Sequence, residues 1–171
     1  MERLKAKVRD IPDFPKPGIL FKDLTPLIRD ADALHLAVTQ LALPFYGLGI
    51  SAVVGMEARG FIFGPLVARE LGAGFVPLRK PGKLPYNVKQ ISYDLEYGSA
   101  ALEIHADALS AGDRVLVVDD LLATGGTAKA SCELVQGLDA AIVGCAFVVE
   151  LDFLKGRDCL AAYPVHALLH Y

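Results

Sequence analysis

Along the chain, continuous apolar runs alternate with stretches of helical spacing, a rhythm that predicts strands and helices in turn. Leu4, Val8 and Ile11 recur at intervals of four and three, which predicts a short amphipathic helix stopping at Pro12. From Pro12 to Ile28 the chain carries four prolines and one glycine among apolar residues, the pattern of an ordered loop crossing a surface. Its Phe14, Ile19, Leu20, Phe21 and Leu24 are expected to need burial. A helix opens at Asp30 and runs towards Leu43, where Pro44 ends it.

The next elements are a strand over Ile50–Met56, a helix over Gly60–Leu71 and a strand over Gly74–Leu78. Lys80–Lys89 is polar, basic and broken by Pro and Gly, which predicts a mobile loop, extended as far as about residue 92. Strands are expected at Gln90–Glu96, Ala101–Ile104 and Arg114–Val118, then a helix at Thr127–Leu138 and strands at Ala140–Val149 and Pro164–Leu169. Continuous apolar strands interleaved with helices imply parallel strands covered on both faces. The expected fold is therefore α/β, an open, mainly parallel sheet flanked by helices. With no internal repeat or shift of composition, residues 1–171 are read as one domain.

At 53% apolar residues, the chain can build a real core and is not compositionally disordered. A net charge of −3 argues against a partner held by bulk positive charge, so neither nucleic acid nor membrane is expected. It leaves room for a small polyanion gripped by a few local groups. The apolar runs Leu41–Ile50 and Ala140–Val149 have ten residues each, against the ~20 a bilayer span requires. The opening MERLKAKVRD lacks an apolar secretory core, and Cys132, Cys145 and Cys159 lack Cys-x-x-Cys spacing. A reducing cytoplasm is expected, with all three cysteines as buried small hydrophobes.

The chemistry concentrates in RVLVVDDLLATGGTAKASCELV, residues 114–135. An apolar strand delivers Asp119 and Asp120 to its carboxyl end, Leu121–Gly126 turn the chain, and Thr127 opens a helix. In open α/β sheets ligands bind at that edge. Gly125 and Gly126 allow positive φ and lack Cβ atoms, so successive N–H groups can converge on one anion. The helix N-terminus adds partial positive charge, and Thr124 and Thr127 add hydroxyls. Carboxylates repel phosphate, so Asp119 and Asp120 should face sugar hydroxyls or a divalent cation. A ribose 5-phosphate meets both demands. The bland alternative makes the acids an N-cap and a solvated turn residue.

Gly55-Met-Glu-Ala-Arg-Gly60 is a second turn between a β-run and a helix, where Arg59 offers a fork for phosphate oxygens or else pairs with Glu57. Arg79, Lys80 and Lys83 form a third basic element, with a solvated charge run as its alternative. Neither GxxxxGK[ST] nor a correctly ordered dinucleotide fingerprint is present. His166 and His170 are four apart in a strand-like segment, a spacing that makes no ligand pair, and His35 and His105 read as surface or boundary residues.

VVDDLLATGGT resembles the phosphoribosyl-pyrophosphate signature of the type I phosphoribosyltransferases. FPKPGILFKDLTPLI, GMEARGFIFGP, RKPGKLP and SYDLEYG are similar, in order, to segments of the family's adenine-specific, purine-salvage branch. The resemblance implies transfer of phosphoribosyl from 5-phosphoribosyl 1-pyrophosphate to N9 of adenine, giving AMP and pyrophosphate. It implies a 5-phosphate cradle at Ala123, Thr124, Gly125, Gly126 and Thr127, with Asp119 and Asp120 on the ribose hydroxyls. It assigns pyrophosphate to Glu57, Ala58 and Arg59, often with a non-proline cis peptide, and to Arg79, Lys80 and Lys83 of the loop.

An N-terminal hood, residues 1–30 approximately, would cover the base: Phe21 stacks on adenine, and backbone groups of Leu20 and Lys22 read its edge. Without the resemblance, Phe21 reads as a core aromatic. Glu96 corresponds to a glutamate at the imidazole edge of the purine, a base or hydrogen-bond acceptor; by itself it reads as exposed. Glu96 and Arg59 are thus the expected catalytic residues. The cofactor implied is Mg²⁺, bound through phosphoribosyl pyrophosphate, with Asp119 or Asp120 reached through water and no direct protein ligand. A homodimer is implied too. Competing readings are a transferase for another base, or a non-catalytic regulator that senses phosphoribosyl pyrophosphate.

Overall fold

The computed structural model describes residues 1–94 and 99–171. Five of the apolar runs form one sheet: β3 (Ala52–Met56), β4 (Gly74–Leu78), β7 (Arg114–Leu122), β8 (Ala141–Glu150) and β9 (Val165–His170). Their order is β4-β3-β7-β8-β9, and every neighbouring pair is parallel. The chain steps outward from β3 to β4, then returns to place β7 on the other side of β3. The sheet therefore changes winding direction between β3 and β7, and a crevice opens at their carboxyl ends.

Alternation within each strand divides the core into two layers. Val53, Leu116 and Val118 face one layer with Leu41 of α3 (Ala31–Ala42) and Phe63 and Val67 of α4 (Gly60–Leu71). Val54, Val115 and Val117 face the other with Cys132 and Val135 of α5 (Gly126–Gln136). Leu102 and Ile104 of an antiparallel ribbon, β5 (Val88–Asp94) with β6 (Ser99–His105), complete that second layer. Helix α4 lies close to the sheet because Gly55 and Gly64 make room for Phe75; a methyl group on either would fall 2.8 or 2.5 Å from its ring.

The N-terminal expectations fail in two respects. Helix α1 covers only Glu2–Lys5, and Arg9–Pro12 is instead β1, paired antiparallel with β2 (Leu20–Asp23). The prolines cap a hairpin, and backbone pairing prevails over the apolar spacing of Val8 and Ile11. Burial is also narrower than expected: Leu24 is buried, Phe21 is half-buried, and Phe14, Ile19 and Leu20 remain exposed. A two-stranded ribbon has no second layer to bury both of its faces. Helix α2 (Thr25–Arg29) then leads into α3, where Asp30 caps the first turn by accepting from the Ala33 N–H at 3.0 Å.

Cys132 and Cys145 are buried as expected, with their sulfurs 3.7 Å apart, whereas Cys159 is exposed on the turn after β8. No helix among the described residues is long and apolar enough to cross a membrane. Phe63 has no exposed surface at the centre of the α4 layer. Phe63→Ala should therefore cost about 3–5 kcal/mol, read as a lowered urea midpoint.

Candidate active site

Strand β7 does not stop before its acids, as the sequence suggested, but continues through Asp119 and Asp120 to Leu122. Pairing with β8 extends this far, Leu122 standing opposite Glu150, so both carboxylates are held on a rigid strand. The turn 123–125 follows, and Gly125, at φ +85°, sits at the N-cap of α5. Only Gly125 adopts the left-handed conformation; Gly126 is already the first helical residue. Arg59, Asp119, Asp120, Ala123, Thr124, Gly125, Gly126 and Thr127 line one cavity of about 210 Å³. Its floor offers the unpaired N–H groups of a helix N-terminus, and its wall offers carboxylates: an anion fits one end and a polyol or cation the other.

Asp120 is buried and accepts the guanidinium of Arg59, an ion pair that crosses from the turn after β3 to β7. Arg59 thus pairs with Asp120, not with Glu57. Asp119 keeps a little surface at the mouth of the cavity but lies deep among protein atoms, and its Oδ1 accepts the Asp120 N–H at 2.9 Å. Burial, reinforced by the neighbouring Asp120 charge, pushes the Asp119 carboxyl well above the ordinary range. Gly60 permits this packing, since a methyl group there would stand 2.9 Å from Asp119 Oδ1.

The turn after β3 contains a cis peptide between Glu57 and Ala58. The Glu57 carboxylate collects the loop cations: Lys83 Nζ donates at 2.8 Å, Arg79 Nε at 3.2 Å and the Lys80 N–H at 2.9 Å. These groups sit together beside the crevice, though not on the lining of the loop cavity. Burial opposes ionisation of Glu57, but the bonds from Lys83, Lys80 and Arg79 outweigh it and hold its pKa at about 2.

Over the crevice, the Phe21 ring lies 5.8 Å from the Arg59 guanidinium and meets Phe14 edge-on at 5.1 Å. Leu20 and Lys22, on the opposite face of β2, line a separate cavity of about 680 Å³ with Leu151, Phe153, Leu154 and Tyr171. Glu96 lies outside the described residues, between β5 and β6 in sequence.

Hard carboxylate oxygens at Asp119 and Asp120 fit Mg²⁺, and the deeply buried Asp119 is a group that a cation would satisfy. Glu150, Asp152 and His170 form a second oxygen- and nitrogen-bearing cluster. There both Glu150 oxygens already accept from Arg157, at 3.0 and 2.5 Å, so the cluster is an ion-pair network.

Residues 30–159 match the family model for the phosphoribosyl transferase domain. Over all 171 residues of both chains, the sequence is 70% identical to the adenine phosphoribosyltransferase of Methylococcus capsulatus. The corresponding enzyme of Nitrosococcus oceani is 69% identical, again over the full length of both. The chain belongs to the adenine phosphoribosyltransferase family. In fold, the family member from Thermoanaerobacter pseudethanolicus superposes with a TM-score of 0.96 at 48% identity, covering 99% of each chain. The Saccharomyces cerevisiae member, crystallised with an imino-altritol bisphosphate and adenine, gives a TM-score of 0.93 at 44% identity, covering 98% and 97%.

Two contributors escaped the sequence reading. Tyr93 reaches from β5 to place its hydroxyl 3.2 Å from Thr127 Oγ1, joining the ribbon to the family's signature turn. Gly156 packs against that turn from behind. Tyr93 lies within the SYDLEYG segment, but nothing local tells a bonded tyrosine from an exposed one; Gly156 carried only a generic turn signal, LKGRD.

The lowered pKa of Glu57 fixes the sign of its contribution to stability. The ionised form is favoured by folding, so its contribution is full above about pH 4.5 and is lost as pH falls towards 2. Because Lys83 is half exposed, solvent and salt reduce the effect to about 1–2 kcal/mol. Urea unfolding should show stability falling between pH 5 and 2 more steeply, by about that amount, in the parent than in Glu57→Gln.

Proposed function

We propose that this chain carries out purine salvage, transferring the 5-phosphoribosyl group of 5-phosphoribosyl 1-pyrophosphate to N9 of adenine and releasing pyrophosphate and AMP. One observation carries the reading: an anion cradle at the N-terminus of α5 lies in the same cavity as Asp119 and Asp120, at the sheet's winding reversal. A phosphate and a diol must share that cavity, and a phosphorylated pentose supplies both.

In this reading the 123–127 backbone and the Thr124 and Thr127 hydroxyls hold the 5-phosphate. Asp119 and Asp120 accept the ribose hydroxyls and fix the sugar in line for displacement. The C1–O bond to pyrophosphate breaks, positive charge grows on the ring, and N9 forms the new C1–N bond. Arg59, the backbone at Glu57 and Ala58, and the loop cations Arg79, Lys80 and Lys83 take up the departing anion. For Arg59 this means exchanging Asp120 for phosphate oxygens. Asp119 or Asp120 would hold Mg²⁺ brought in with phosphoribosyl pyrophosphate, and the ion would supply further charge neutralisation.

Phe21 stacks on the base, a role supported by its position beside Arg59. Strand β2 belongs to a two-stranded ribbon, so half of its backbone groups face away from β1; those at Leu20 and Lys22 would read the purine edge. Glu96 accepts the N9 proton or holds the imidazole edge, on the strength of the SYDLEYG resemblance. We assign the reaction to the cytoplasm, supported by the free thiols of all three cysteines. A homodimer is what the family resemblance implies for this chain.

Pyrophosphate release measured with adenine, guanine, hypoxanthine and orotate tests the reading. Turnover is expected with adenine; turnover with guanine but not adenine would discard it, and none with any base would favour a regulator. In calorimetry, Asp119→Asn and Asp120→Asn should each weaken phosphoribosyl pyrophosphate at least about tenfold and leave adenine nearly unchanged. Equal losses for both ligands would mean that the acids do not face the sugar.

A further inference from the structure

The turn after β8 meets the signature turn backbone to backbone. Gly156 is buried, and a methyl group built on it would fall 2.1 Å from the Ala123 carbonyl oxygen and 3.0 Å from the Gly125 nitrogen. The reverse holds as well: a methyl group on Gly125 would lie 2.4 Å from the Gly156 carbonyl oxygen. Two chain segments thus touch where neither carries a side chain. Such an approach persists only if both segments are anchored.

The second segment is anchored at three points. The Leu151 N–H donates to the Leu122 carbonyl at 3.0 Å, tying its start to the end of β7. Arg157, next to Gly156, grips both oxygens of the buried Glu150 and donates to the Val165 carbonyl at 2.8 Å. Cys159 Sγ donates to the Thr124 carbonyl at 3.4 Å. Arg157 spans the ends of β8 and β9, so the position of Gly156 is set by the sheet itself.

We propose that Gly156, held by the Arg157–Glu150 fork, is a positioning residue that sets the curvature of the 123–127 turn and so its affinity for the 5-phosphate. The inference rests on the reading of that turn as the phosphate cradle. Any side chain at 156 pushes the Ala123 and Gly125 backbone outward by about 1 Å, and displacements of that size cost up to about a hundredfold where several N–H groups must converge on one anion.

Gly156→Ala should raise KM for phosphoribosyl pyrophosphate about tenfold or more, with KM for adenine and kcat within about twofold of the parent. In calorimetry, ribose 5-phosphate should bind about tenfold more weakly, and inorganic pyrophosphate unchanged. Arg157→Gln frees the same turn without adding an atom behind the cradle. It should show the same split at about three- to tenfold, and it decides the matter if Gly156→Ala does not fold. A folded variant with unchanged ribose 5-phosphate affinity, or one that loses ribose 5-phosphate, pyrophosphate and adenine equally, would overturn the proposal. Thr127→Val separates the two levels. If it weakens ribose 5-phosphate while the Gly156 and Arg157 variants do not, the brace is wrong and the cradle stands; if none of the three does, the cradle is wrong and the brace falls with it.

Discussion

Two adjacent carboxylates at the end of a buried apolar strand impose a cost that the surroundings must offset. The offset comes from across the crevice. Arg59, from the turn after β3, closes on Asp120, while the absence of a Cβ at Gly60 lets Asp119 lie against the first residue of α4. The Asp119 carboxylate accepts the Asp120 N–H in that position. The start of α5, a few residues beyond β7, faces the open cavity. The acids on the strand and the helix N-terminus beyond the turn thus line different parts of one small cavity, which lets a phosphate and two carboxylates coexist there.

Much of this was legible in the sequence because it depends on residues close together in the chain. The helix Gly60–Leu71 and the strand Gly74–Leu78 were bounded correctly from apolar periodicity and their flanking glycines. The order of acids, turn and helix between residues 119 and 127 is enough to place a cavity at the sheet edge, where the structure has one. Contacts between distant segments were not legible. That Arg59 would choose Asp120 over nearby Glu57, or that Glu57 would gather three loop donors, depends on which strands neighbour one another. The N-terminal error has the same origin. Leu4, Val8 and Ile11 have helical spacing, but Ile11 found a strand partner in Phe21, which no local pattern announces.

The contact behind the cradle shows how a supporting structure can leave almost no trace in composition. Glycine at 156 looks like ordinary turn punctuation, and arginine at 157 looks like a surface charge. Their significance appears only when β7, β8 and β9 align and bring residues 123 and 156, more than thirty positions apart in sequence, into contact. Tyr93 adds a tie from the other side, so the turn is held between the sheet's far strands and the β5–β6 ribbon. Geometry fixed from both sides is what an anion site made mostly of backbone needs, since such a site has no long side chains to adjust.

Glu57 determines how strongly ionic strength can influence whatever anion enters the crevice. Its carboxylate already pairs with both Lys83 and Arg79 and cancels one of their two charges, so an arriving polyanion competes with a resident counter-ion. Electrostatic capture at this end is an exchange reaction with a small net gain, and its response to added salt should be shallow compared with that of an open basic cleft. When no anion is present, the two cations share a carboxylate only a side chain away.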